Sequence, residues 1–191
     1  MYRRFIFILV ALFLSQIVRA ESLNIQLGDN SARVMYATEV IGGSFGPTDL
    51  EVGAYYNNDK DKLFHLGLLI RNNTLDNPLI IGFGTRLYYA DVGNQSGQNP
   101  ATASAVALGG EVLYVPDAFN GFGIGFNYFY APSVLTFQDG DGFSEYGAIG
   151  SYAVSKQARF YVGYRFMELR IENASDIEVD SGFIFGFNLR F

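Results

Sequence analysis

Residues 182–191 read Gly-Phe-Ile-Phe-Gly-Phe-Asn-Leu-Arg-Phe, and this stretch decides the fold. Phe183, Phe185, Phe187, Leu189 and Phe191 share one parity, while Gly182, Ile184, Gly186, Asn188 and Arg190 share the other. Successive side chains of a strand point to opposite faces. One face is therefore a wall of rings and aliphatics. The other is small or polar, with Ile184 as its exception.

The same alternation recurs upstream, where Phe160, Val162, Tyr164 and Phe166 oppose Arg159, Tyr161, Gly163 and Arg165. Phe122, Ile124, Phe126 and Tyr128 oppose Gly121, Gly123, Gly125 and Asn127. Comparable segments centre on Tyr146–Tyr152, Val106–Tyr114, Ile81–Tyr89, Phe64–Ile70 and Leu50–Tyr56, with a shorter pair at Leu23–Leu27 and Val34–Tyr36. About ten strands result. Eight stays open if the N-terminal segments form one irregular strand or lie outside the wall.

A soluble sandwich also alternates, but its outer face is rich in Lys, Thr and Ser. Here the face opposite the rings is mostly Gly and Ala with isolated charges, which suits the crowded interior of a narrow barrel. The apolar face ends in Tyr and Phe near the turns, as interfacial girdles do. Lipid leaves no partner for an open sheet edge, so insertion requires closure. The expectation is an all-β fold: a closed antiparallel transmembrane β-barrel over 21–191. With the N-terminus on the inner side, the inner turns are 40–48, 72–78, 116–120 and 155–157. The longer polar loops 57–62, 91–104, 132–143 and 172–178 lie outside.

Residues 1–20 read as a signal peptide. Arg3 and Arg4 precede an apolar run from Phe5 to Val18, and Val18-Arg19-Ala20 supplies a cleavage site after Ala20. The run is short for a membrane-spanning helix. Export usually permits disulfides, yet the chain has no Cys. Its formal charge of −6 becomes more negative once Arg3, Arg4 and Arg19 leave, which argues against nucleic acid as a partner.

Three stretches carry a resemblance: Asn58-Asp59-Lys60-Asp61-Lys62, Tyr128-Phe129-Tyr130-Ala131-Pro132 and Val162-Gly163-Tyr164-Arg165-Phe166. In their order and spacing, together with the ending, the chain is similar to the YfaZ family of small outer-membrane proteins. The resemblance implies a barrel in the bacterial outer membrane, in contact with its lipids and lipopolysaccharide, and it implies no reaction. The terminal Gly186, Phe187, Leu189 and Phe191 resemble the signal read by the outer-membrane assembly machinery, which implies that machinery and periplasmic chaperones as partners during biogenesis. That pattern prefers a polar residue two positions before the glycine, where this chain has Ile184.

The inward face carries Glu51, His65, Arg71, Arg86, Glu111, Glu145, Arg159, Arg165 and Arg190. An unpaired charge away from water is costly, so these are expected to pair across a filled lumen. A narrow pore for ions or small solutes is the alternative use of the same residues. His65, the one histidine, raises a lipid hydrolase as a more distant reading. No Gly-x-Ser-x-Gly accompanies it, and no serine stands at a recognisable spacing, so no enzyme is expected. Asp139-Gly140-Asp141-Gly142 lacks the later ligands of a calcium loop, so no metal or cofactor is expected.

Overall fold

The computed structural model describes residues 21–72, 78–92, 100–172 and 175–191. The expected signal peptide, and the parts of three loops at 73–77, 93–99 and 173–174, lie outside the described residues. The strands are β1 (Glu21–Gly28), β2 (Ser31–Gly42), β3 (Pro47–Asn57), β4 (Lys62–Arg71), β5 (Leu79–Val92) and β6 (Ala101–Tyr114). They continue with β7 (Phe122–Ala131), β8 (Thr136–Gln138), β9 (Gly140–Ala153), β10 (Ala158–Ile171) and β11 (Ile177–Arg190).

Each strand pairs antiparallel with its neighbours, and β1 closes the ring on β11 from Ser22↔Arg190 to Gly28↔Ile184. Ten strands make the wall. The short β8 continues the sheet beyond the end of β7, pairing Thr136–Gln138 with Ala103–Ala105 of β6. Glu21 and Phe191 lie together at one end of the cylinder, here the proximal end. The turns 43–46, 115–121 and 154–157 join strands at that end, and 29–30, 58–61 and 132–139 join them at the distal end.

The outward parity is the one the sequence marks. Phe183 is 74% exposed and Phe126 53%, while Ile184 on the opposite parity of the same strand as Phe183 is buried. No helix among the described residues is long and apolar enough to cross a membrane.

Strands run into several expected loops: β2 reaches Gly42 and β3 starts at Pro47 within 40–48, β11 starts at Ile177 within 172–178, and two further segments differ more. Residues 91–104 were expected as loop, but β5 runs to Val92 and β6 starts at Ala101. Within 132–143, β8 and the start of β9 extend the wall, joined by a tight turn in which Gln138 has a φ of 65°. The reason is visible in Ala101-Thr102-Ala103-Ser104-Ala105. It alternates, but with so little contrast in size or polarity that it does not stand out as a strand. Its alanines at 101, 103 and 105 are buried in the lumen.

The distal half of the lumen is packed with apolar side chains. Tyr55, Leu63, Tyr88, Phe129, Phe143, Met167 and Leu169 converge there with the alanines of β5 and β6. Asn57 and Asp61 fold the β3–β4 turn over this packing. Asn57 Nδ2 donates to Asp61 Oδ2 at 3.0 Å and to the Val179 carbonyl at 3.1 Å.

Candidate functional site

Beneath the apolar packing lies a chain of buried ion pairs. Arg33 on β2 reaches across the lumen to Glu145 on β9, Nη1 to Oε1 at 2.6 Å, and each side chain is 2% exposed. Glu145 Oε2 also accepts from the Tyr88 hydroxyl at 2.7 Å, and Arg86 Nη1 stands 3.8 Å from Oε1. Arg86 donates through Nε and Nη2 to Glu51 Oε2 at 3.1 and 2.9 Å, and its guanidinium lies over the Phe129 ring at 3.9 Å. Arg71 joins Glu51 and Glu111 at 2.7 Å each and also pairs with Asp49. Arginine suits this role because its planar fork holds several carboxylate oxygens at once.

A second cluster ties β10 to the seam. Arg165 donates to Asp180 at 2.6 Å, to Gln26 at 2.5 Å and to Ser31 at 3.2 Å. The Tyr55 hydroxyl bridges from β3 to the Val179 carbonyl at 2.9 Å and to Asp180 at 3.1 Å.

The proximal half is open. A cavity of about 630 Å³ there is lined by Asp49, Glu51, Arg71, Arg86, Glu111, Arg159, Tyr161 and Arg190 among others. A smaller cavity of about 170 Å³ adjoins it, lined by Arg33, Glu145 and Arg165. Of the nine inward residues marked in the sequence, six join the two ion-pair systems: Glu51, Arg71, Arg86, Glu111, Glu145 and Arg165. Arg159 and Arg190 face the open half and have no carboxylate within 4 Å among the described residues.

The YfaZ precursor family model matches residues 4–191. The chain belongs to the YfaZ family. No curated protein matches it. Among solved structures, this YfaZ-family chain is similar to one from work on in-meso crystallization of membrane proteins, with 11% identity and a TM-score of 0.45. That likeness covers 90% of this chain and 82% of the other. It is also similar to the outer membrane channel DcaP of Acinetobacter baumannii, with 11% identity, a TM-score of 0.39, and coverage of 91% and 62%. The outer membrane protein Omp33 of Acinetobacter baumannii gives 12% identity, a TM-score of 0.39, and coverage of 91% and 98%.

The chain is thus a YfaZ-family closed β-barrel with buried salt bridges inside. Its His65 packs over Gly53 of the neighbouring strand, where an added Cβ would come within 2.1 Å of the ring. Nδ1 lies 3.4 Å from Arg33 Nη2, and since arginine only donates, that nitrogen is the acceptor. Asp139 Oδ2 accepts from the Thr102 amide at 2.9 Å, which pins the start of β9 to β6.

Three charged members of the YfaZ network are not among the sequence candidates: Arg33, Asp49 and Asp180. Each stands on the inward parity, opposite Val34, Leu50 and the 181–191 ring row respectively, so alternation alone could have found them. Tyr161 stands on the inward parity that the alternation of its strand marks, and Tyr88 shares the parity of Arg86; both are polar partners inside the lumen.

Proposed function

We propose that this YfaZ barrel is a non-conducting structural or interaction protein. Its lumen is blocked by apolar packing in the distal half and by the paired charges beneath it, the proximal half staying open, and it acts through its distal loops and lipid contacts. The observation that carries the reading is the double obstruction of the lumen. Phe129, Phe143 and Leu169 are buried in the distal half, directly beyond the Arg33–Glu145 strut that crosses from β2 to β9. Narrow barrels have interiors just wide enough for side chains to fill, whereas aqueous channels come with many more strands.

The reading places the barrel in the outer membrane of a Gram-negative bacterium, exported by a signal peptide cut after Ala20. Gly186, Phe187, Leu189 and Phe191 would serve as its assembly signal. Lipopolysaccharide is the neighbour at its distal rim, where Asp59 and Asp141 sit. The reading includes no reaction. Nδ1 of His65 accepts from the cationic Arg33 rather than donating to an orienting carboxylate, and Nε2 has no nucleophile within hydrogen-bond reach among the described residues. Purified protein is expected to release no fatty acid from phospholipid or lipopolysaccharide. Release abolished by His65→Ala would overturn that part.

Planar-bilayer recording tests the main claim. The folded protein is expected to give no stable unitary openings. Openings lost on changing Arg86 or Arg165 would favour the narrow pore instead.

A further inference from the structure

We infer that the proximal vestibule holds a site for a small oxyanion, gripped by Arg159 and Arg190. Six arginines face the lumen, and four of them are spent on carboxylates: Arg33, Arg71, Arg86 and Arg165. Arg159 and Arg190 are the two left over among the described residues. Arg159 is half-buried, and its one side-chain hydrogen bond runs from Nη1 to the neutral Ser151 Oγ at 3.0 Å. Both arginines line the cavity of about 630 Å³.

Register places the two together. Arg159 of β10 stands opposite Asn188 of β11, and Arg190 lies two residues further along β11 on the same face. Such diagonal neighbours come within reach of long side chains. Asn188 is in turn opposite Asn24 of β1, so a row of guanidinium, amide and amide crosses three adjacent strands. Two like charges side by side in a recess repel each other until an anion enters. Arg159 is half-buried, which strengthens its attraction for an anion above the value in bulk water, while Arg190 reaches the site from the exposed end of β11.

The acidic groups of the vestibule do not cancel this wall. Asp49, Glu51 and Glu111 are engaged by Arg71 and Arg86. Glu39 lines the cavity from β2 but is not within 4 Å of either free arginine. The ligand this chemistry fits carries at least two anionic oxygens in one plane or tetrahedron, as phosphate does, because guanidinium groups bind such oxygens in pairs. The inference does not depend on whether the distal half conducts. A blind vestibule and the mouth of a pore would hold the anion equally.

Inorganic phosphate, titrated into the folded barrel in a non-ionic detergent and followed by calorimetry or phosphorus NMR, provides the test. Saturable binding is expected, weakened by added sodium chloride. Arg159→Gln and Arg190→Gln should each weaken it roughly tenfold, the size of a lost charged hydrogen bond. Arg170→Gln is the control, since Arg170 lies on the outward parity and bonds Tyr130. Both vestibule arginines lack an ion-pair partner, so their replacement should leave heat-modifiable migration intact and the folded state available for measurement. Three results would overturn the site: no saturable binding to the wild type, equal binding by the two variants, or an equal loss with Arg170→Gln. Binding of a short-chain anionic phospholipid but not of phosphate would also overturn it, by moving recognition to the membrane surface.

Discussion

Replacing Glu145 by Ala is expected to lower the stability of the barrel by about 3–5 kcal/mol, because it leaves buried cations without their counter-charge. Glu145 is where three strands meet. Arg33 arrives from β2 at 2.6 Å, Tyr88 from β5 at 2.7 Å, and Arg86 from β5 at 3.8 Å. Without the carboxylate, Arg33 keeps only the Nδ1 of His65, at 3.4 Å, among its side-chain acceptors. Its Nε already has no partner among the described residues. Arg86 retains Glu51 and suffers less. The comparison variant is Glu111→Ala, whose carboxylate pairs with Arg71 nearer the open vestibule and is 29% exposed. Water can replace that partner, so a loss of about 0–1 kcal/mol is expected there. The midpoint of urea unfolding in detergent, read by heat-modifiable migration, measures both. A Glu145→Ala loss as small as that of Glu111→Ala would mean that the central strut carries no weight.

Gly186→Ala is expected to destabilise the closure of the cylinder by about 1–3 kcal/mol, the usual cost of forcing extra volume into a packed site. Gly186 lies opposite Tyr161, whose ring covers it so closely that an added Cβ would stand 2.1 Å from Cζ. The same tyrosine donates its hydroxyl to Asn24 Oδ1 at 2.7 Å. Tyr161 is on β10, Gly186 on β11 and Asn24 on β1, so one side chain spans the last strand and latches the seam where the sheet closes on itself. Gly186→Ala should displace the ring and break that hydrogen bond. The double variant Gly186→Ala/Tyr161→Ala should then lose less than the sum of the two single changes, since residues in contact couple. Strict additivity would show that the ring and the glycine do not act together. In that case Gly186 matters only for assembly, through recognition of the chain end.

The Gly186–Tyr161 latch also illustrates what a sequence can and cannot display. The parity of Phe183 to Phe191 is local, set by the pleat, and so it is readable from a single strand. Inward placement of Glu51, Arg86, Glu145 and Arg165 follows from the same rule. Which arginine meets which carboxylate does not. Arg33 and Glu145 are 112 residues apart on strands that are not neighbours, and they meet only because the cylinder closes and brings β2 opposite β9. The shortfall at Arg159 and Arg190 is hidden for the same reason. Both look like the other inward arginines until the positions of all the carboxylates are known. The missed start of β6 has a different cause. Ala101, Ala103 and Ala105 are inward and Thr102 and Ser104 outward, yet neither set is large or apolar enough to mark a face. Small side chains fit there because Tyr88 and Phe129 fill the same part of the lumen.

The central claim is that the ring-bearing face meets acyl chains while the opposite face looks into a closed lumen. The chain contains no Trp, so a single introduced indole reports on its own surroundings. Phe126 and Phe129 sit three residues apart on β7, one 53% exposed and outward, the other fully buried and inward. With Phe126→Trp and Phe129→Trp each refolded into bilayers, quenching by lipids brominated along their acyl chains measures contact with the hydrocarbon. Strong quenching at position 126 and little at 129 is the predicted result. Equal quenching at both positions, or the reverse order, would contradict the account.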